Sequence, residues 1–277
     1  MLSDLDYKGI AERDGLNVFA VAEMDADNNT RKVVIHEANQ TGSTYSVAKL
    51  FTATAVGMAF DRGLVRPEDK LVDILGELVP SGIDDKWNRV TVDHLLTHRA
   101  GLPRYFLDVD QNDVATFGTT DYLAYALTHP LDYEPGTDAA YSDGAFYLLS
   151  RVVARVTGQE MSAFLRPTLM KTMAFQELGW SFCPEGYALG GSGMFIRVED
   201  MIKLGVLYLN RGVWKGTRVL SEAWVKLALE RGYGLRALLG GWYGKGGMCG
   251  QMLLFNPEKQ LAVAWMGHTK GGVIFPV

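Results

Sequence analysis

A serine and a lysine three residues apart, in Ser46-Val47-Ala48-Lys49, are the residues of this chain best placed for nucleophilic chemistry. A serine hydroxyl attacks poorly until a base stands within hydrogen-bond reach. The uninterrupted apolar run that follows predicts a helix from Ser46 to Asp61, and on a helix residues three apart share a face. Lys49 would stand one turn above Ser46, able to take its proton in the neutral form. Burial against Val47, Leu50 and Phe51 would favour that form. The polar loop from Asn39 to Tyr45 marks the helix start. Backbone N–H groups there lack internal partners and can hold a developing oxyanion. The tetrad is weak evidence alone, because ten serines and twelve lysines give about 0.4 such spacings by chance, so the rest of the chain must support it.

Two further segments offer chemistry. Tyr141-Ser142-Asp143 precedes a predicted helix. Its tyrosine either points into a cleft and shuttles a proton, or packs while Ser142 or Asp143 caps the helix. In Gly244-Lys245-Gly246-Gly247, ahead of a predicted strand at Met248, glycines let a substrate approach the backbone and Lys245 could meet a carboxylate. The other reading is a glycine-rich turn with a solvated lysine. Lys270-Gly271-Gly272 is a weaker rival past the last predicted strand. His94 and His98 have the spacing of a zinc helix without its glutamate, which favours a structural role. Gly190-Gly191-Ser192-Gly193-Met194 misses the last glycine of a nucleophile elbow. Cys249 has no evident catalytic partner and reads as packing.

The elements that must position these residues follow from period and turn chemistry. A short helix is expected over about 2–14, and strands over 17–24 and 31–37 with a hairpin turn at Asp25–Asn29. From Gly63 the pattern is helical: 91–98, 119–129, 145–157, 161–173, 199–210 and 221–230. The C-terminal part returns to strands at 233–239, 248–255 and 260–266, the last two joined by Asn256-Pro257-Glu258-Lys259. The expected fold is therefore α+β: an antiparallel sheet flanked by helices, with an all-helical lobe. We expect one domain over 1–277, with a sheet lobe from about 1–62 and 231–277 and a helical lobe over about 63–230. The seam between the lobes is the natural pocket.

Composition narrows the function. Hydrophobic residues make up 48%, charged residues 21%, and the net charge is −5 with no basic run. The chain can build a large core, and nothing in it supports nucleic-acid binding. No stretch is apolar enough to cross a membrane. The N-terminus lacks a signal-peptide layout, so a cytoplasmic location is expected, and with it no disulfide between Cys183 and Cys249. No metal or cofactor is expected, and oligomeric state is open.

Taken in order, Ser46-x-x-Lys49, Tyr141-Ser142-Asp143 and Lys245-Gly246-Gly247 resemble the serine β-lactamase and penicillin-binding-protein superfamily. They are closest to its class C-like branch of β-lactamases, esterases and D-alanyl peptidases. The segments Thr91–Leu102, Glu134-Pro135-Gly136-Thr137 and Gly190–Asp200 fit the same pattern. The resemblance implies a fold and a set of roles. Ser46 would be the acylated nucleophile, with Lys49 and Tyr141 as the pair that takes and returns its proton. The N–H groups of Ser46 and Met248 would form the oxyanion hole. Lys245, Gly246, Gly247 and Asp143 would bind a small acyl substrate, with Lys245 steering a carboxylate.

Three departures matter. Asp143 stands where the family usually has Asn, and a carboxylate only accepts hydrogen bonds. It could pair with Lys49 or Lys245 and raise its pKa. Gly246 replaces a usual Thr. The sequence stops about ten residues after the last expected strand, where the family usually packs a helix, so we expect either the N-terminal helix or a partner subunit to cover that sheet face. A serine acyl-hydrolase acting on an ester, a β-lactam or a D-amino-acid amide is the first expectation. The alternative is a catalytically weak or inactive protein of this fold used for binding or assembly, and slow β-lactam sequestration lies between them.

Overall fold

The computed structural model describes residues 2–269 and 275–277. The rival Lys270-Gly271-Gly272 segment lies outside the described residues. The expected α+β class holds. A six-stranded antiparallel sheet has the order β2-β1-β11-β10-β9-β8. These strands are β1 (Val18–Asp25), β2 (Thr30–Val34), β8 (Arg236–Ala237), β9 (Tyr243–Gly246), β10 (Met252–Asn256) and β11 (Leu261–Gly267). β3 (Thr41–Ser43), β4 (Leu178–Trp180) and β5 (Met194–Arg197) form a small second sheet, and β6 (Val213–Trp214) pairs with β7 (Thr217–Arg218). The helices are α1 (Tyr7–Arg13), α2 (Ala48–Asp61), α3 (Leu71–Leu75), α4 (Val92–Leu96), α5 (Tyr122–Thr128), α6 (Asp143–Thr157), α7 (Met161–Leu165), α8 (Val198–Leu209) and α9 (Glu222–Arg231).

Strand alternation divides the sheet into two faces. Ala22, Leu253, Ala262 and Ala264 point inward and join the main core, with α8 laid across them. Val21, Leu254, Val263 and Trp265 point outward into a smaller apolar cluster with Tyr7, Ala11 and Phe275. Phe275 meets Tyr7 and Trp265 edge to face at 5.0 and 5.2 Å. The N-terminal helix, one of the two covers expected for that face, packs there through Tyr7 and Ala11. It is pinned by Glu23, which is buried opposite Arg31 in the β1–β2 register. Glu23 accepts from the Tyr7 hydroxyl at 2.5 Å, while Arg31 donates to the carbonyls of Ser3 and Leu5.

α2 is the central element. It is buried on nearly every face, from Ala48 to Ala59, and packs against α6, α7 and α9. Gly57 is required here, because a Cβ would lie 2.3 Å from the indole nitrogen of Trp224. One apolar core runs continuously from the sheet through α2 into α3–α7.

Several element boundaries differ from expectation. The stretch 63–230 is not all-helical: it carries β4–β7, and α8 belongs to the sheet's inner face. The helix expected over 161–173 gives way at Leu165 to a π-turn, Arg166–Met170, that contains Pro167. The strand expected from Met248 begins at Met252, because residues 247–250 form a turn in which Gly250 has a φ of 87°. The glycine segment before it is itself a strand, β9. Glycines carry no strand signal, so that assignment comes from pairing with β10.

Candidate active site

Ser46 lies at the seam between sheet and helices. It was expected to open the α-helix, but it sits in a 3-10 turn, Tyr45–Val47, just ahead of α2. The small sheet holds that turn. β3 pairs with β5, and Thr44 continues the pairing, its N–H and hydroxyl donating to the Met194 carbonyl at 2.8 and 3.1 Å. Tyr45 then turns through a φ of 46°, a left-handed conformation that lifts Ser46 away from the sheet.

Around the Ser46 hydroxyl the structure gathers Lys49, Tyr141 and Asp143. The Tyr141 hydroxyl donates to Ser46 Oγ at 2.6 Å, and Lys49 Nζ donates to the same oxygen at 3.2 Å. Lys49 is fully buried and also donates to Asp143 Oδ1 at 2.5 Å and to the Gly191 carbonyl at 2.7 Å. Of the two lysines open to Asp143, the structure pairs it with Lys49. Tyr141 therefore points into the cleft, and Ser142 does not cap α6; its hydroxyl donates to the Phe106 carbonyl at 3.2 Å. The two histidines do separate structural jobs. His94 joins a capping box with Thr91, while His98 stacks 4.4 Å from the Tyr141 ring and accepts from the Ser142 N–H at 3.3 Å.

The opposite wall is β9 and the turn after it. Ser46, Tyr141, Lys245, Gly246, Gly247 and Met248 line one cavity of about 520 Å³. The Met248 N–H makes no hydrogen bond among the described residues, and Met248 lines this cavity. The turn is held from behind, where Trp265 Nε1 donates to the Gly250 carbonyl at 2.8 Å and Gln251 Nε2 to the Gly267 carbonyl at 2.7 Å. Gly247 meets the Ser46 turn closely, since a Cβ there would lie 2.7 Å from the Thr44 carbonyl. At Gly246 a Cβ would meet the end of Met252 at 3.2 Å and the Gln251 carbonyl at 3.6 Å. Cys249 is buried behind the turn, and neither it nor Cys183 forms a disulfide.

A model of the Beta-lactamase family matches residues 36–273, which include every one of these residues. The chain belongs to the Beta-lactamase family. It is 27% identical over 208 residues to penicillin-binding protein 4 of Amycolatopsis lactamdurans, covering 64% of this chain and 53% of that protein. It is 29% identical over 174 residues to the esterase EstB of Burkholderia gladioli, covering 57% of this chain and 44% of that protein. The chain thus spans about half the length of these relatives. Its fold is that of a penicillin binding protein from Bacillus halodurans, with a TM-score of 0.75 and 20% identity over 98% of this chain and 96% of the other.

The electrostatics of this Beta-lactamase-family chain differ from a simple neutral-lysine arrangement. Complete burial works against charge on Lys49. The contacting carboxylate of Asp143, with Tyr141 beside it, outweighs that burial and holds the lysine above its usual pKa. With three acceptors, Lys49 is satisfied as an ammonium and has no lone pair to offer. The neutral Lys49 expected from burial is thereby corrected, because the counter-ion decides the balance. Lys245 behaves oppositely. Burial, then the charges of Lys49 and Arg236, push it well below the usual lysine range. Both amines lie 4.7 Å from the centre of the Tyr141 ring.

Several site residues carried no readable signal in sequence. The Gly191 carbonyl reaches Lys49 because Gly190 and Gly193 turn at φ of 69° and 73°, which the glycine run only hinted at. Ser192 donates to Asp110, and the carboxylates of Asp108, Asp110 and Asp143 come within 4.8 Å of one another. Arg104 and Arg236 reach the cavity from a loop and from the edge strand.

Proposed function

We propose that this protein is a serine acyl-hydrolase that works through an acyl-Ser46 intermediate on a small ester or amide. The observation that carries this reading is the 2.6 Å hydrogen bond from Tyr141 to Ser46 Oγ beside a buried lysine, at a cavity that Met248 also lines. Family membership and relatives named penicillin-binding protein and esterase support the same reaction class.

In this reading Ser46 Oγ attacks the substrate carbonyl, and the N–H groups of Ser46 and Met248 receive the negative charge on its oxygen. The Tyr141 hydroxyl, in contact with Ser46 Oγ, accepts the proton leaving Ser46 as it gives its own to the leaving group. Lys49 orients Ser46 and balances negative charge below it. Water then attacks the acyl-Ser46 ester by the same route reversed.

Hydrolysis of p-nitrophenyl acetate by the wild type beside Ser46→Ala tests this. The expected result is loss of turnover in the variant, and an acetyl mass adduct on the wild type when the reaction is quenched early. Equal, background-level rates in both proteins would sink the reading.

A further inference from the structure

Tyr141 is gripped by His98, which takes no part in the chemistry described above. The imidazole lies 4.4 Å from the Tyr141 ring, tilted by 37°, and 5.0 Å from Phe146 on α6. His98 also holds the peptides on both sides of that tyrosine. The Ala140 N–H donates to the His98 carbonyl at 2.9 Å, and the Ser142 N–H donates to His98 Nδ1 at 3.3 Å. His98 does this at a φ of 58°, a left-handed conformation uncommon outside glycine. Strain of that kind persists where the surrounding contacts fix it, and it gathers at functional sites. Beyond the ring, His98, Tyr141 and Lys245 line a second cavity of about 360 Å³. Without the imidazole, the phenol would have room to swing off Ser46.

The arrangement requires a neutral ring. An imidazolium has no lone pair at Nδ1 to receive the Ser142 N–H, so the proton sits on Nε2. The surroundings act in the same direction. Burial first, then the cations Lys245 on β9, Lys49 on α2 and Arg236 on β8, push the His98 pKa well below the ordinary histidine value. The nearby carboxylates are engaged elsewhere. Asp143 on α6 pairs with Lys49, and Glu230, at the second cavity, lies 3.8 Å from Lys226 on its own helix.

We propose that His98 is a positioning residue for the reaction: its neutral imidazole holds the Tyr141 hydroxyl on Ser46 Oγ, and so keeps the proton donor aimed at the leaving group. This rests on the acyl-Ser46 reading above. A phenol displaced by about an ångström loses much of its value in proton transfer.

The test compares phenyl acetate with p-nitrophenyl acetate. Phenolate is a poor leaving group that needs a proton, whereas p-nitrophenolate departs without one. The quantity read is the ratio of the kcat/KM values for phenyl acetate and p-nitrophenyl acetate in wild type, His98→Gly and His98→Asn. Glycine accepts the left-handed φ and removes the ring. Asparagine also tolerates that φ and offers an oxygen near the place of Nδ1. His98→Gly should lower the ratio roughly tenfold, and His98→Asn should recover part of that loss. A ratio unchanged in both variants overturns the proposal even if both rates fall, since a loss of folded protein slows the two esters alike. If His98→Gly fails to fold, His98→Asn decides by the same ratio.

Nitrogen-15 NMR of the imidazoles reads the ring without turnover, the His98 signal being the one absent from His98→Asn. The neutral Nε2–H form should persist from about pH 8 down to about pH 5. Titration at the ordinary histidine midpoint would overturn the neutral ring. That signal intact, with no Ser46-dependent turnover in wild type, rejects the hydrolase and leaves the His98 clamp on Tyr141 standing. Ser46-dependent turnover with an unchanged ratio rejects the positioning role alone.

Discussion

The two sides of Tyr141 hold buried lysines in opposite electrostatic settings. On the inner side, Lys49 faces Asp143, with Asp108 and Asp110 close behind. On the outer side, Lys245 faces Arg236 and the cavities and has no carboxylate in contact among the described residues. Both are deeply buried, yet their pKa values move apart. Burial by itself removes charge from an amine, and a contacting counter-ion restores it. The same separation raises the Asp110 carboxyl: burial leads, the nearby carboxylates add to it, and Ser192 only partly offsets them. Titratable groups driven apart in this way are what proton transfer near neutral pH requires. The difference turns on one residue, Asp143, where an amide would have left Lys49 without a counter-ion.

The largest expected effect comes from breaking the inner side. Lys49→Met leaves the Asp143 carboxylate buried without its partner, and should cost about 3–5 kcal/mol of stability. Urea unfolding at neutral pH measures this, and a loss under about 1 kcal/mol would show that the ion pair is not seated as described.

A gentler change is Asp143→Asn, which keeps a hydrogen-bond acceptor but removes the charge. It should cost about 1–3 kcal/mol at neutral pH. The sign of its pH dependence is fixed by linkage. Lys49 has a folded pKa above its unfolded value, so its stabilisation is fully present below the ordinary lysine pKa and is lost as pH rises through the raised one. The gap between wild type and variant should therefore close at strongly alkaline pH. A gap that is constant with pH would mean that Asp143 acts through shape alone.

The smallest effect, with the opposite sign, belongs to Lys245→Met. A depressed lysine binds fewer protons folded than unfolded, so stability rises with pH up to the ordinary lysine value, about 10.4. Removing the amine should raise the melting temperature at neutral pH, by an amount that vanishes as pH approaches that value. Esterase activity should fall in the same protein. A variant that is less stable at neutral pH would contradict a depressed Lys245 without a contacting counter-ion.

Much of the frame was legible in the chain. Helix α2, the β1–β2 hairpin, and the last two strands follow from apolar period and turn residues, because those signals are local. The order of Ser46-x-x-Lys49, Tyr141-Ser142-Asp143 and Lys245-Gly246-Gly247 was enough to name the candidate residues. What local signals could not supply is pairing across distance. β9 is a strand because β10 lies beside it, and the three-stranded sheet exists because Thr41–Ser43 meets Met194–Arg197 from across the chain.

The sequence by itself therefore determined which side chains are available and on which elements they ride. It also fixed the substitution of Asp143 for an amide, since residue type needs no fold to be read. Only the tertiary structure decided which lysine that carboxylate meets, and so which of two buried amines is held above its usual pKa and which is pushed below it. It alone brought Arg104 to the Tyr141 backbone and Arg236 to the strand of Lys245. Charge interactions depend on distance and burial, and both are set by contacts between segments far apart in the chain.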